Sequence, residues 1–325
     1  MIHTNVCNEL KIDHPIFQAG MSGPWFTNAE LVAAVSNAGG LGILGCLGHS
    51  PESAIAEIRK IRKLTNRPFG VNFVLHRRND EAFAAALAER VPVFSFFRGD
   101  PAESVKRAHE VGAKTIHQVT TVDEARYACE VGVDILIAQG REAGGHMGPV
   151  PLFSLLPEVV AVSGTRPVLA AGSIVDGRGL VAALCLGADG VLMGTRFLAT
   201  PEAPVSANYK QAIVAASDHN ATIASEVFDV LWDDPWPGVQ VRALQNNFVK
   251  RWLGNEEQLK MQRREATARM QHAEQVDNLE ELGLLAGMGA ARIYDLKPAG
   301  QIVSEVVTEA ARIMQTLATR VVSDG

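Results

Sequence analysis

The sequence predicts an eight-stranded (β/α)8 barrel, the TIM-barrel fold, in which a closed parallel sheet is surrounded by helices. Three observations support this fold class. Short apolar runs alternate with amphipathic stretches from residue 15 to about 198, the runs lack the alternation typical of half-exposed strands, and several end in glycine or an amide residue. A doubly wound open sheet is the alternative, because it has the same alternation of strands and helices.

Eight apolar segments are predicted as strands. They are rich in Val, Ile, Leu and Phe, as expected of strands that are covered on both faces. The segments are Pro15–Met21, Leu41–Gly45, Phe69–Leu75, Val91–Phe97, Lys114–Val119, Asp134–Gln139, Pro167–Ser173 and Gly190–Phe197.

The stretches between these strands are predicted as helices. Asn28–Ala38 ends at a pair of glycines, which is typical of a helix C-cap, and Pro51–Leu64 has one apolar face. The same plan is predicted for Ala102–Val111, Val122–Val131 and Arg178–Leu186. Each strand is thus followed by a helix or a helix-like connection.

The pattern changes after residue 200. Residues 201–288 are more polar and are predicted to be helical, with one charged helix at Glu256–Gln275. We expect them to form a helical insertion over the barrel mouth that covers the substrate. Residues 1–200 and 289–325 would then form the barrel, which an amphipathic helix between 289 and 320 closes.

Composition excludes several classes of protein. With 47% hydrophobic and 20% charged residues, the 325-residue chain is predicted to be globular and not disordered. The net charge of −6 disfavours binding to nucleic acid or to an anionic membrane. The four cysteines are far apart, so neither a disulfide framework nor a metal site is expected. No signal peptide or membrane span is evident, and reduced thiols favour a cytoplasmic location.

One loop carries the strongest sign of chemistry. The apolar run Val133–Ala138 leads into Gln-Gly-Arg-Glu-Ala-Gly-Gly-His-Met-Gly, in which Gly144 and Gly145 precede His146. Glycines let the backbone approach a ligand closely, and a histidine can carry a proton near neutral pH. A lone histidine is more often structural, but this position favours His146 as a general base. Glu142 is either a residue that orients the loop or a solvated charge.

Two consecutive glycine turns suggest a phosphate site. Val168–Ile174 and Val191–Arg196 each run from a strand into a turn, at Gly172 and at Gly194. In a barrel these would follow strands seven and eight, whose loops commonly bind phosphate through backbone N–H groups. Ordinary tight turns are the alternative. Neither a P-loop nor a clear G-x-G-x-x-G is present, so FMN fits better than a resident dinucleotide.

Neutral polar residues end other strands. Asn72, Gln118 and Gln139 could bond the polar atoms of a flavin ring or satisfy loop backbone, and both readings stay open. Trp232 and Trp236 could line a substrate pocket, although the core is slightly favoured. Structural roles are predicted for His14, His76, His117 and Tyr127.

Four motifs resemble the nitronate monooxygenase family, formerly called 2-nitropropane dioxygenase. This family also contains NADH:quinone reductases and is similar to flavin-dependent enoyl-ACP reductases. The resemblance covers residues 10 to 200, and the closing helix loosely. The motifs are Pro15–Ser22, Ala33–Gly42, Glu142–Gly148 and Gly187–Phe197.

The resemblance implies a barrel that binds FMN without a covalent link. The catalytic histidine of the family maps onto His146. The FMN contacts map onto Gly20, Met21, Ser22, Asn72 or Val74, Gly144 and Gly145, and the phosphate contacts onto Ala171, Gly172, Ser173, Gly194 and Thr195.

Two positions depart from some members of the family. Gln118 stands where certain relatives have a lysine near the flavin, and Gln139 stands where they have an acidic residue. Residues 201–288 also lack the tyrosine-rich character of a typical nitronate oxidiser. The loss of a cation and an anion is expected to alter the flavin potential and the choice of oxidant.

These observations lead to one main expectation about function. We expect an FMN-dependent nitronate monooxygenase that uses O2 and acts on a small-molecule substrate. No metal and no nucleic-acid or membrane partner is expected, and a homodimer is compatible with the sequence. The alternative is an NAD(P)H-dependent reductase of quinones or enoyl thioesters. A non-catalytic flavin-binding protein is the third interpretation.

Overall fold

The computed structural model describes residues 2–21 and 25–321, with the side chains of 318–321 excepted. Eleven strands occur in these ranges. In chain order they are β1 (Ile16–Gln18), β2 (Leu41–Gly45), β3 (Phe69–Val74), β4 (Val93–Phe97), β5 (Lys114–Val119), β6 (Ile135–Gln139), β7 (Gly145–Met147), β8 (Val168–Ala171), β9 (Gly190–Met193), β10 (Thr222–Ser225) and β11 (Gln240–Leu244).

Fifteen α-helices lie in the same described ranges. In chain order they are α1 (Asn5–Leu10), α2 (Ala29–Asn37), α3 (Pro51–Leu64), α4 (Asp80–Ala88), α5 (Ala102–Glu110), α6 (Val122–Glu130), α7 (Leu152–Val162), α8 (Gly177–Cys185), α9 (Thr195–Leu198), α10 (Ala207–Val214), α11 (Val227–Trp232), α12 (Asn247–Trp252), α13 (Glu256–Met261), α14 (Arg263–Gln275) and α15 (Ala299–Val321). Four 3₁₀ turns lie at Leu75–Arg77, His219–Ala221, Leu279–Glu281 and Met288–Arg292.

The predicted barrel is confirmed. Eight parallel strands close in the order β1-β2-β3-β4-β5-β6-β8-β9, and Phe17 of β1 pairs with Leu192 of β9 at the closure. Because all eight strands are parallel, their carboxyl ends meet at one rim. The open-sheet alternative is wrong.

Two apolar clusters build the barrel. Inside it, buried side chains from the strands pack together with α1, which covers the end of the barrel opposite the carboxyl rim. A larger cluster lies between the strands and the surrounding helices, where α15 packs against α8 and α2. Full burial of each large apolar side chain stabilises the fold by about 1.5–3 kcal/mol. Of the two ends of the barrel, the carboxyl rim is the one that α1 leaves uncovered.

All eight strands of the barrel were predicted, but several are shorter than predicted. Pro167–Ser173 narrows to Val168–Ala171 because Gly172 and Ser173 adopt positive φ values of 128° and 55°, which a strand cannot accommodate. The strand predicted at Gly190–Phe197 ends at Met193, because Gly194 is the N-cap of the short helix α9. Helices α1, α4, α7 and α9 were not predicted.

The region between residues 201 and 288 is mostly helical, but it also contains strands. In an antiparallel sheet, β11 pairs with β10 on one side and with β7 on the other. The charged helix predicted at Glu256–Gln275 is two helices that break at Gln262. The expectation of a purely helical segment was therefore incomplete. The division of the chain at residues 200 and 288 stays a prediction.

Within the described ranges, every helix is too short or too polar to traverse a lipid bilayer.

Candidate functional site

A cavity opens at the carboxyl rim of the barrel. Its lining includes each predicted site residue that the structure describes, while Ser22 lies outside the described residues. These residues are Gly20, Met21, Asn72, Val74, Gln118, Gln139, Gly144, Gly145, His146, Ala171, Gly172, Ser173, Gly194 and Thr195. Their shared location follows from the parallel barrel, because they all stand at or after strand ends. Their individual roles in binding stay predictions.

His146 lies on β7, and both its backbone and its side chain form hydrogen bonds. Its backbone pairs with Val241 of β11, and its carbonyl accepts a hydrogen bond from Gln139 Nε2 at 3.1 Å. Its ring Nε2 lies 2.8 Å from Asp229 Oδ1. Because a carboxylate accepts, Nε2 carries a hydrogen, and the other nitrogen, Nδ1, has no partner among the described residues. The imidazole thus presents a proton acceptor at the cavity.

Asp229 lies on α11, 83 residues after His146 in the chain. Its side chain is only 6% exposed, and that of His146 is 13% exposed. Burial raises the pKa of Asp229, and the hydrogen bond from His146 opposes this rise. A positive imidazole would offset the cost of keeping the carboxylate charged in this position. The pair therefore suits a base that gains a proton during a reaction.

Trp236 covers one face of the His146 ring. The two ring centroids lie 3.5 Å apart, and the planes differ by 13°. Trp236 is buried and lines the cavity, so it is both a core residue and a pocket residue, the two alternatives given by the sequence. Trp232 is 40% exposed and stacks on Phe228, away from the cavity lining.

Amide side chains form the polar wall. Gln139 Oε1 is buried and has no hydrogen-bond partner within the described residues. Asn72 Nδ2 lies within 3.2 Å of Ser95 Oγ, and Ser95 and Gln118 also line the cavity. A buried amide oxygen without a partner is costly unless a ligand donates to it.

Backbone groups of two turns at the carboxyl rim also line the cavity. Among the described residues, no hydrogen bond uses the N–H groups of Gly172, Ser173 or Gly194. The Ser173 carbonyl accepts a hydrogen bond from Arg292, and Thr195 Oγ1 accepts one from Gly287 N at 2.9 Å. These contacts fix the turns while their N–H groups stay available to an anion.

The loop before His146 packs too closely for larger residues. A Cβ on Gly144 would lie 2.5 Å from the backbone nitrogen of Gly287. The Glu142 carboxylate accepts a hydrogen bond from Leu152 N at 3.0 Å, so it orients the loop and is not merely solvated.

These observations fit FMN. The free N–H groups suit its phosphate, and the unpartnered Gln139 oxygen suits a ring N–H. Asn72 and Gln118 add further polar atoms beside the space for the ring.

Some residues of the site were missed in the sequence. Asp229 had no local signal, because an aspartate on a short helix is ordinary. Gly287 and Gly289 also line the cavity, and their Gly-Met-Gly turn was a signal that could have been noticed. His76, predicted to be structural, lies with its ring edge-on to Trp236 at 4.1 Å between centroids.

The fold and the cavity define a (β/α)8-barrel protein with a candidate site at the carboxyl rim. The model of the protein family described as nitronate monooxygenase matches residues 4–86 and 78–309. The chain belongs to the nitronate monooxygenase family.

Individual relatives differ in what they are named for. The chain is 39% identical over 233 residues to (3aS,4S,5R,7aS)-5-hydroxy-7a-methyl-1-oxo-octahydro-1H-indene-4-carboxyl-CoA dehydrogenase of Mycobacterium tuberculosis, in a match that covers 70% of this chain and 64% of that enzyme. It is 32% identical to a probable nitronate monooxygenase of Staphylococcus aureus, in a match that covers 94% of this chain and 97% of that protein. The solved structure of FabK from Thermotoga maritima superposes with a TM-score of 0.88 and 36% identity. The superposition covers 98% of this chain and 99% of the FabK chain.

Proposed function

We propose that this protein is an FMN-dependent nitronate monooxygenase, which converts alkyl nitronates or nitroalkanes and O2 to a carbonyl compound and nitrite. The observation that carries the proposal is the position of His146. Its Nε2 is bonded to Asp229 while its Nδ1 has no partner within the described part of the chain, beside a cavity that fits FMN.

The barrel would hold the cofactor. The backbone of Gly172, Ser173, Gly194 and Thr195 would bind the phosphate, and Gln139 would bond the ring. Bound FMN would accept an electron from the substrate, which is the chemistry that amino-acid side chains lack.

His146 would handle the proton. A carbon that bears a nitro group is acidic, so Nδ1 of His146 could remove its proton, or the protonated ring could stabilise the nitronate anion. Asp229 would keep the hydrogen on Nε2 and balance the positive imidazole. Both tasks require the imidazole to stand at the cavity, and it lines the cavity.

Residues 201–288 would cover the substrate. Trp236 of this segment lines the cavity together with Leu285, and both would exclude water from the reacting carbon. The homodimer and the cytoplasmic location stay predictions from the sequence.

Spectroscopy and an oxygen-electrode assay test the proposal. Purified protein is expected to show the visible absorption of oxidised flavin, and to take up O2 and release nitrite when propionate 3-nitronate or a nitroalkane is added. A colourless preparation that takes up no FMN would refute the cofactor. A yellow protein that consumes neither substrate would refute the activity alone.

The second candidate is an NAD(P)H-dependent reductase of quinones or enoyl thioesters. It is favoured by the likeness to FabK over 98% of the chain, and by a relative named for a CoA thioester. Anaerobic mixing with NADH or NADPH separates the two functions. Rapid bleaching of the flavin supports the reductase, and an unchanged spectrum together with nitronate oxidation supports the monooxygenase.

A further inference from the structure

We propose that Trp236 is a positioning residue for His146, which fixes the plane of the imidazole and stabilises its protonated form. The proposal rests on the proposed function only in that His146 is the base.

The stacking geometry is the first support. A centroid separation of 3.5 Å with planes 13° apart is a face-to-face contact, so the imidazole cannot turn about its Cβ–Cγ bond without striking the indole. A neutral aromatic pair prefers an offset or edge-on arrangement, whereas a cation is attracted to the face of an indole. The observed arrangement therefore suits the positive imidazole better than the neutral one.

The indole is itself held by a buried anchor. Trp236 Nε1 donates a hydrogen bond to Asp234 Oδ2 at 2.7 Å, and Arg77 Nη1 lies 2.6 Å from the same oxygen. Because the ion pair with Arg77 holds the Asp234 carboxylate, the indole has one preferred orientation.

One short segment supplies both partners of the imidazole. The backbone N–H of Asp234 donates to the Asp229 carbonyl at 2.9 Å, which ties the turn before Trp236 to the end of α11. Asp229 thus meets the edge of the His146 ring and Trp236 meets its face, from positions seven residues apart. Both contacts favour the charged imidazole.

Residues of the barrel rim and of the later segment also pack around the indole. His76 packs edge-on at 4.1 Å, and Phe97 lies 6.0 Å away between centroids. Val74 and Val239 complete this apolar cluster. The cluster shields the pair from water, which strengthens the attraction between a cation and an aromatic face.

Within the described ranges, five charged or titratable groups lie around the stacked pair. Their charges act on the imidazole and form the background of its pH profile. They are Asp229 from α11, Asp234 from the turn after it, His76 and Arg77 from the turn after β3, and Arg98 from the turn after β4.

The test compares three variants of the FMN-loaded protein. Trp236→Leu removes the aromatic face, Trp236→Phe keeps a ring but loses the bond to Asp234, and Trp232→Phe is the control for a tryptophan outside the cavity. The ring resonances of His146 are followed by NMR as a function of pH and assigned with a His146→Asn variant. This readout does not require that the substrate be known.

In Trp236→Leu, the titration midpoint of the His146 resonance is expected to move to lower pH by about 0.5 to 1.5 units, since the cation loses its aromatic partner. The acid limb of the kcat/KM profile should move with it. Trp236→Phe should show less than half of this shift, and Trp232→Phe none.

An unmoved midpoint in a folded, yellow Trp236→Leu protein would overturn the proposal and leave Trp236 as a packing residue. If Trp236→Leu does not fold, Trp236→Phe decides, because a shift to lower pH is still expected from its smaller, unanchored ring. A protein that shows these shifts but no nitronate turnover would reject the proposed function without touching this inference.

Discussion

The strand ends of the barrel and the segment after residue 200 contribute to one cavity in different ways. The barrel offers mainly backbone N–H groups, glycines and amides, at Gly172, Gly194 and Gln139 for example. The later segment offers side chains, namely Asp229 and Trp236, which contact the imidazole. The two regions meet at β7, which carries His146 and pairs with β11.

In the proposed function, this division separates cofactor binding from proton chemistry. A cradle of backbone groups is insensitive to side-chain identity as long as its glycines are kept, so it can serve one cofactor in many enzymes. The side chains around the base can then be changed without disturbing the cradle. Variants in the two regions are therefore expected to fail in different assays.

Replacement of His146 by Ala should have the largest effect. Turnover is expected to fall by about 10²–10⁴-fold, because no other described group takes over the proton, while the visible flavin spectrum stays. Steady-state kinetics with a nitronate measure the loss. His272→Ala, on the exposed side of α14, is the control. Near-normal turnover in His146→Ala would show that the histidine is not the base.

Asp229→Asn tests whether the later segment acts through the base. The amide NH₂ can donate to Nε2, which favours the tautomer with its hydrogen on Nδ1 and so blocks the base. We expect a loss of about 10²-fold in kcat, smaller than the ~10⁴-fold seen for the analogous aspartate of serine proteases. FMN binding should be unchanged. Asp233→Asn, at a largely exposed neighbour, is the matched control. Equal losses in both variants would refute the pairing.

His117 tests a barrel position that takes no part in the site. Burial lowers its pKa to about 4 from 6.5, so the unfolded chain takes up a proton before the folded one does. The free energy of unfolding therefore falls as the pH drops from 6.5 towards 4, and the loss at pH 5 is about 2 kcal/mol. His117→Leu should remove this part of the loss between pH 7 and pH 5. Urea unfolding at both pH values measures it, with exposed His3→Leu as the control.

Gly172→Ala tests the cradle alone and should have the smallest effect. With φ at 128°, an alanine must shift the turn that presents the free N–H groups, so we expect FMN affinity to fall about tenfold. Gly132→Ala also has a positive φ, of 89°, but lies in open space. It should lose stability without losing FMN, as measured by fluorescence titration of the apoprotein. Equal affinities in the two variants would contradict a backbone cradle.

Much of the barrel and the glycine turns at its rim could be predicted from the sequence, because both depend on local patterns. Continuous apolar runs such as Leu41–Gly45 indicate strands covered on both faces, and this run matches β2 at both ends. The ends of Pro167–Ser173 could not be predicted as well, since propensity does not show where a backbone turns to positive φ. The strands β10 and β11 were missed because they form a sheet only with β7, which is distant in the sequence.

The amino-acid sequence by itself determined the parallel barrel, the glycine turns at its rim and the histidine that follows Gly144 and Gly145, because each is encoded by residues close together in the chain. Only the tertiary structure decided that Asp229 and Trp236 meet that histidine. An aspartate 83 residues away carries no local mark of its partner, since side chains so far apart are brought together by packing and not by any short-range preference.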